Sequence, residues 1–357
     1  MTSRDLYPFL FDWYDRAVRL LPGGYAPPPL HLAVASTMHC NLACPFCTAH
    51  YPQSMPRDEV MAIVAAFPSA RLVTLTGGEL FSHPEAVEIV RGVARSRMTT
   101  IETNGTLIDA ALARELAALA PAAPGLPGLY LVNMTVQGPA DVHDGITGSP
   151  GSHRRVREAA AAVVEARRAR GRRFPMVSLR TTMTGALAGR LHATRDLAAA
   201  IGAGSVMYKL EEGTQWSLDP ATGANLRTDR FIKYPAGVAG ELAGELDELR
   251  RAAGADGGPA VVTLPFDLPA TEIRDYYAGG QTLHGYTCDT LRARFVAAPA
   301  GYWSLCKIMC AKLNEGERIT DAWNGAAIRE FRRSITRDGL RPECRGCCYL
   351  RLRGRRG

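Results

Sequence analysis

Nine cysteines carry the chemistry of this 357-residue chain, and they are bunched. Cys40, Cys44 and Cys47 form a C-x3-C-x2-C loop, while Cys288, Cys306, Cys310, Cys344, Cys347 and Cys348 lie near the other end. An odd number gathered in two groups makes a poor disulfide framework. CxxC-type spacing is what a metal or iron–sulfur site requires, because several thiolates must reach one small centre. Three thiolates in one short loop can hold a [4Fe–4S] cluster and leave one iron open for chemistry. On spacing alone, a zinc site completed by His39 or His50 competes with that reading.

Polar residues follow at regular intervals. Thr76-Gly77-Gly78-Glu79 offers two glycines, which let a ligand approach the backbone, and a carboxylate able to hold an ammonium group. Thr103-Asn104-Gly105 offers an amide for hydroxyls, and Asn133, Thr135 and Gln137 add further polar groups. Each of these is by itself an ordinary turn or strand end. Together they describe a pocket beside the cysteine loop for a ligand with an amine and a sugar.

The elements that must position these residues alternate. Strands are expected at Leu30–Ala35, Arg71–Thr76, Met98–Thr103, Tyr130–Val136, Met176–Thr182 and Ser205–Leu210. Helices are expected at Asp58–Phe67, Pro84–Arg95, Ile108–Leu119, Arg154–Arg170, Leu187–Ile201 and Val238–Ala252. Ser82 to Glu85 has the spacing of a capping box for the second helix. Asp219–Asn225 and Ala253–Gly258 read as loops. Six strands with helices between them argue for a parallel sheet covered by helices, with fewer repeats than a closed barrel of eight. All the polar sets then fall at the C-terminal ends of strands, the face on which such sheets carry their sites. Lys209, Glu211 and Glu212 reach the same face as substrate binders, as a base or as solvated loop charges.

The second cysteine group lacks the βα rhythm. Val296–Trp303 reads as strand, Pro/Gly turn and strand, and this hairpin brings Cys288 near Cys306. Cys344 and Cys347 return as a CxxC pair beyond a helix expected at Asp321–Ser334. Four thiolates suffice for zinc or for a closed [4Fe–4S] cluster. Cys348 directly follows Cys347 and is an alternative ligand. Cys310 is a buried small side chain, a ligand, or a hydrogen-atom donor to a substrate radical.

These residues resemble the radical S-adenosylmethionine (SAM) enzymes. Cys40, Cys44 and Cys47 match that family's cysteine loop, Phe46 its adenine-side aromatic, and Gly77-Gly78-Glu79 its GGE element. Thr103-Asn104-Gly105 resembles its next SAM-side loop. The resemblance covers residues 30–215 and implies a partial (β/α)6 TIM barrel. It implies that Glu79 binds the methionine amino group and that Phe46, Gly77, Gly78, Glu79, Asn104 and Thr135 hold SAM; Arg180, late on the fifth strand, is either a partner of the methionine carboxylate or an ordinary strand-end arginine. The C-terminal part resembles the SPASM/Twitch extension, with Trp323-Asn324-Gly325 near a helix start. This implies an auxiliary [4Fe–4S] cluster on Cys288, Cys306, Cys344 and Cys347. The family's reaction is reductive cleavage of SAM to a 5′-deoxyadenosyl radical, followed by hydrogen abstraction.

The expected organisation is an N-terminal helix (1–29), the barrel (30–215), a helical linker region (216–279) and a small Cys-rich domain (280–357). Residues Met1 to Leu21 have too many charges for a signal peptide, and no apolar run approaches the roughly 20 residues of a membrane span. A cytoplasmic location without membrane contact is expected, where thiols stay reduced. The net charge of +7 is concentrated at Arg167–Arg173 and Arg351–Arg356, with no nucleic-acid-binding motif. The expected substrate is a small polar natural product, such as a sugar, aminocyclitol or nucleoside, undergoing dehydrogenation or epimerisation. Only 39 residues precede Cys40, few for a peptide-recognition domain. The alternative is maturation of a ribosomally made precursor peptide by crosslinking, oxidation or epimerisation. A flavodoxin- or ferredoxin-type donor completes the set of partners. Catalytic roles fall to Cys310, Glu211 and Arg180.

Overall fold

The computed structural model describes Val18 and residues 21–47, 52–218, 225–229, 232–255, 258–265, 268–288, 290–306 and 308–352. Of the expected N-terminal helix (1–29), Val18 and residues 21–29 are described, and residues 21–29 hold only a 3-10 turn at Pro22–Gly24, with no α-helix; of the expected loop at 219–225 only Asn225 is described, and it begins a strand.

The strands are β1 (His31–Thr37), β2 (Leu72–Gly77), β3 (Met98–Thr103), β4 (Gly128–Thr135), β5 (Met176–Met183) and β6 (Ser205–Leu210). They run in that order and in parallel, as the alternation of elements predicts. The helices between them are α1 (Arg57–Ala66), α2 (Ala86–Ala94), α3 (Ala110–Ala118), α4 (Ala140–Thr147), α5 (Ser152–Ala169) and α6 (His192–Ile201). This is the partial-barrel architecture expected from sequence.

The two faces of the sheet differ sharply. On the helix side, Leu32, Val34, Val73, Leu75, Ile101, Val132, Met134, Val177, Leu179 and Val206 are fully buried. Side chains alternate across a strand, so the intervening residues face the interior. Those are His31, Thr74, Thr100, Glu102, Asn133, Ser178, Arg180 and Lys209. A parallel sheet buried on both faces reads as continuous apolar sequence. A polar inner face therefore marks a site rather than a second core.

The sequence from 216 to 279 contributes more than helices. After the hairpin β7 (Thr214–Leu218) and β8 (Asn225–Asp229) comes α7 (Ala236–Ala255), which runs through part of the expected loop. Next, β9 (Ala260–Leu264) pairs in parallel with β6, so this stretch extends the sheet; α8 (Ala270–Tyr277) follows.

The cysteine-rich part is joined to the barrel through the backbone. Following β10 (Tyr286–Cys288), β11 (Arg294–Ala298) lies parallel on β1, with His31 level with Arg294. The expected hairpin forms as β11 and β12 (Tyr302–Cys306), and β13 (Met309–Lys312) closes the ten-stranded sheet at that edge. Helices α9 (Ile319–Ala322) and α10 (Ala326–Asp338) precede β14 (Leu350–Leu352), which pairs antiparallel with β10. Phe295 anchors the junction, with ring centroids 5.4 Å from Phe67, 5.9 Å from Trp303 and 5.8 Å from Trp323. Beside it, fully buried Arg332 donates to the carbonyls of Leu291 and Gly24 and to Asn324 Oδ1.

The expected capping box is absent. Helix α2 begins at Ala86, and Ser82 ends a short 3-10 turn. His83 Nδ1 takes the backbone N–H of Glu85 at 2.9 Å, and the Glu85 carboxylate turns to the Arg57 N–H at 3.1 Å. The local turn outcompetes the reciprocal cap. No described helix is long and apolar enough to cross a membrane.

Candidate active site and second metal site

The loop after β1 brings Cys40, Cys44 and Cys47 together. A tight turn, Cys47 N–H to Cys44 carbonyl at 3.0 Å, sets the last two. Burial and the neighbouring Cys47 and Cys40 push the Cys44 thiol up to about 12. Burial, then Glu79 and Cys47, also raises the Cys40 thiol. Three clustered thiols, two of them held back from ionising, are a donor set that a soft cation completes. All nine cysteines lie among the described residues, and no disulfide joins any of them.

The Gly77-Gly78-Glu79 element is stitched onto this loop. Gly78 donates to the Thr37 carbonyl and Glu79 to the His39 carbonyl, both at 2.8 Å. A Cβ on Gly77 would lie 2.0 Å from the Thr37 carbonyl oxygen, and one on Gly78 2.3 Å from that of His39. The glycines therefore permit strand β2 to touch the backbone of the cysteine loop. Glu79 is fully buried and accepts from the Phe81 N–H, from Thr103 Oγ1 at 2.6 Å and from the Asn104 N–H at 2.5 Å. Its carboxylate ties the ends of β2 and β3 together. Asn104 Nδ2 donates to Asn41 Oδ1 at 2.8 Å and approaches Cys40 Sγ at 3.9 Å. Thus Asn104 meets the cysteine loop, as its position in the sequence suggests. Thr135 ends β4 on the interior face, level with Arg180.

Deeper inside, charged residues pair. Arg180 meets Glu102 at 2.8 Å, with 24% and 29% of their side chains accessible. Lys209 meets Glu212 at 3.5 Å. Burial alone would raise the Glu102 carboxyl, but Arg180, Arg294 and Lys209 outweigh it and hold the group below its usual range. His31 Nε2 and Thr74 Oγ1 lie 2.8 Å apart, and the Thr74 and Thr100 hydroxyls 2.8 Å apart. Burial, then the charge of Arg294, lowers the His31 imidazole to about 3, so it stays neutral. Arg180 is thus engaged by Glu102. Sequence reading did not single out Glu102 or His31. The signal was present: a carboxylate and a histidine inside otherwise apolar buried strands need a reason.

Toward the mouth, a cavity of about 500 Å³ is lined by Pro45, Phe46, Thr184, Gly185, Glu211 and Tyr234, among others. Phe46 belongs to the cysteine loop, so the cavity adjoins it. Glu211 accepts from the Tyr234 hydroxyl, and its own carbonyl accepts from Tyr276. Tyr234 was not singled out from sequence.

The C-terminal cysteines do not gather at a single point. Burial, then Cys288 and Cys344, pushes the Cys306 thiol up to about 12, which places these three as neighbours. Cys347 closes a turn on Cys344 with an N–H to carbonyl bond of 3.0 Å, the same turn as in the first loop. Cys310 lies on outermost β13 opposite Ser304, three strands from β1; burial raises its thiol to about 11. Cys348 donates its N–H to Glu212 Oε1 at 3.3 Å, and the thiols of Cys347 and Cys348 lie within 4.8 Å of each other and of that carboxylate.

Residues 34–184 match the Radical SAM superfamily. Over 78 residues the chain is 38% identical to the 7-carboxy-7-deazaguanine synthase of Halobacterium salinarum, covering 20% of this chain and 30% of that protein. Over 93 residues it is 34% identical to the GTP 3',8-cyclase of Microcystis aeruginosa, covering 22% and 28%. The chain thus matches under a third of the length of these curated relatives. SuiB of Streptococcus suis, solved with its precursor peptide SuiA, superposes with a TM-score of 0.63 at 15% identity, over 93% of this chain and 73% of that one. The anSMEcpe protein, solved with AdoMet and the Cp18Cys peptide, gives 0.60 at 17% identity over 90% and 86%. Identity at this level shows a shared fold. The likeness to the radical SAM superfamily thus lies in the segment 34–184 of this chain. Proteins of this kind use a [4Fe–4S] cluster and SAM, and the loop of Cys40, Cys44 and Cys47 fits the cluster as a donor set.

Proposed function

We propose that this protein is a radical SAM oxidoreductase or epimerase acting on a small polar natural product, a sugar, aminocyclitol or nucleoside. The observation that carries the reading is the barrel interior, where Glu102–Arg180 and Lys209–Glu212 face a polar wall beneath the cysteine loop. An ammonium, hydroxyl or phosphate group finds charge-assisted partners there. The curated relatives' names, a deazaguanine synthase and a GTP cyclase, refer to small molecules and support this reading.

With cluster and SAM bound, the pair supplies a 5′-deoxyadenosyl radical that removes hydrogen from an unactivated C–H bond. The chain's own share is holding and excluding. Cys40, Cys44 and Cys47 would hold the cluster, while Gly77, Gly78 and Asn104 shape the backbone and amide wall beside it. Glu79 braces that wall through Asn104 and Thr103 and would hold the methionine ammonium of SAM at its remaining acceptor site. Phe46 and Thr135 flank the site, and Glu211, oriented by Tyr234, lines the mouth. Cys288, Cys306, Cys344 and Cys347 would hold an auxiliary [4Fe–4S] cluster, and a flavodoxin or ferredoxin would deliver the electron.

The test incubates anaerobically reconstituted protein with SAM, dithionite and either sugars, aminocyclitols and nucleosides or short peptides. Substrate-dependent 5′-deoxyadenosine with a small molecule is expected. Turnover with peptides alone would replace this reading by peptide maturation, the setting in which SuiB was solved.

A further inference from the structure

We propose that Tyr276 and Gln281 are positioning residues that join the C-terminal cysteine site to the mouth cavity, so that a metal held by the one fixes Glu211 in the other. The inference rests on the reading that the C-terminal cysteines hold a metal, whichever of Cys347 and Cys348 is the ligand.

Glu211 follows β6 and lines the cavity, yet three tyrosines from outside that strand set its place. Its N–H donates to Tyr277 Oη at 3.2 Å, its carbonyl accepts from the Tyr276 hydroxyl, and its carboxylate accepts from the Tyr234 hydroxyl. Tyr277 also donates to the Met183 carbonyl, next to Thr184 of the cavity wall, and its own carbonyl takes the Tyr234 N–H at 2.7 Å. Tyr276 and Tyr277 end α8 and are both buried, with ring centroids 5.0 Å apart. The helix end and the cavity wall are thus one packed unit.

On its other side the same unit meets both cysteine-bearing segments. Gly346, inside the turn from Cys344 to Cys347, has a left-handed φ of 64° and donates its N–H to buried Gln281 Oε1 at 3.0 Å. A Cβ on Gly346 would lie 2.3 Å from the Tyr276 hydroxyl oxygen, so the turn rests directly on that side chain. Tyr286, on the same strand as Cys288, donates its hydroxyl to Glu272 Oε2 of α8 at 2.6 Å. The Tyr276 hydroxyl therefore stands between the cysteine turn and the Glu211 carbonyl.

Partners outside a ligand set orient the ligands. Here those partners also hold the wall of the cavity. A metal that draws Cys344 and its fellow ligands together restrains Gly346, and a close-packed contact passes the restraint on. A second link runs alongside, from the Cys348 N–H to Glu212 Oε1. Removing the Tyr276 hydroxyl separates the two.

The test uses the full-length Cys40→Ala/Cys44→Ala/Cys47→Ala protein, reconstituted anaerobically so that iron enters the C-terminal site alone. Loading should slow amide hydrogen exchange roughly fivefold in a peptide covering residues 209–213, as well as in one covering 343–350. Tyr276→Phe keeps the ring and removes the hydroxyl. At matched iron content it should lose the slowing at 209–213 and keep it at 343–350. No response at 209–213 in the parent background, or an equal response in Tyr276→Phe, overturns the proposal; the second result would leave Glu212 as the link. Gln281→Met, of similar length but without the acceptor oxygen, should also lose the response at 209–213 and alter the reduced-state EPR signal. A response and a signal like the parent's overturn the proposal, and this variant carries the test if Tyr276→Phe fails to fold by circular dichroism. Protein that takes up no iron defeats the cluster reading and not this proposal, which is then read from the same exchange pattern after loading with zinc. Uptake of neither metal overturns both.

Discussion

The carboxylate of Glu79 accepts the backbone N–H of Asn104 at 2.5 Å, joining the ends of two neighbouring strands directly under the cysteine loop. A buried acceptor that holds a strand end has a stability signature, which a ligand-binding carboxylate lacks. Glu79→Ala leaves the Asn104 N–H and the Thr103 hydroxyl without their acceptor, and each costs about 1–3 kcal/mol when buried. Urea unfolding of the apoprotein should show that loss. Glu79→Gln keeps one acceptor oxygen and should lose less. If both variants unfold like the parent and differ only in SAM affinity, the bracing role is wrong.

Gly78→Ala probes the close approach between β2 and the cysteine loop. Its Cβ would lie 2.3 Å from the His39 carbonyl oxygen, so one of the two backbones must move. Overpacking of this kind costs about 1–3 kcal/mol. Iron analysis should show the first site depleted and the C-terminal site retained.

His31 makes stability pH-dependent. Its folded-state value, about 3, lies below an unfolded value near 6.5. The unfolded chain therefore binds the extra proton between these limits, and stability falls as pH drops from about 6.5 toward 3. His31→Asn should flatten the melting temperature across that window. An unchanged slope would show that other groups set it.

Arg180 is expected to matter to Glu102 before it matters to any ligand. Arg180→Gln removes the largest of the three cations that hold the half-buried Glu102 carboxylate and should destabilise the fold by up to about 3 kcal/mol. With only Arg294 and Lys209 left against burial, the Glu102 carboxyl moves up from its depressed range. The stability that Glu102 contributes is present above the unfolded carboxylate value and lost as pH falls through the folded one. In Arg180→Gln the acid limb of stability should shift to higher pH. Double replacement with Glu102→Gln should recover much of the loss.

Much of this architecture was legible in the residues. The strands at Met98–Thr103 and Ser205–Leu210 coincide with expectation, because alternating polarity and flanking turns bound them closely. The cysteine loop and the glycine pair were legible because a metal site and a close backbone approach each demand particular residue types. Strand β9 was missed because a short apolar run between helices carries no sign of its partner, and that partner is β6, some fifty residues earlier. The capping box was misread because a histidine side chain took the N–H that the pattern assigns elsewhere. Sequence spacing also could not divide Cys347 from Cys348, since both follow the same turn and in the fold their thiols stay within 4.8 Å of each other and of the Glu212 carboxylate.

The parallel pairing of β11 on β1 gives the C-terminal part a protective duty apart from any metal. Without β11, the strand that leads into the first cysteine loop would expose a full row of unpaired backbone groups at the rim of the sheet. Such a rim recruits other chains. Truncation ahead of Arg294 should therefore yield an aggregating barrel rather than a smaller working one, even if every residue of the matched domain is kept.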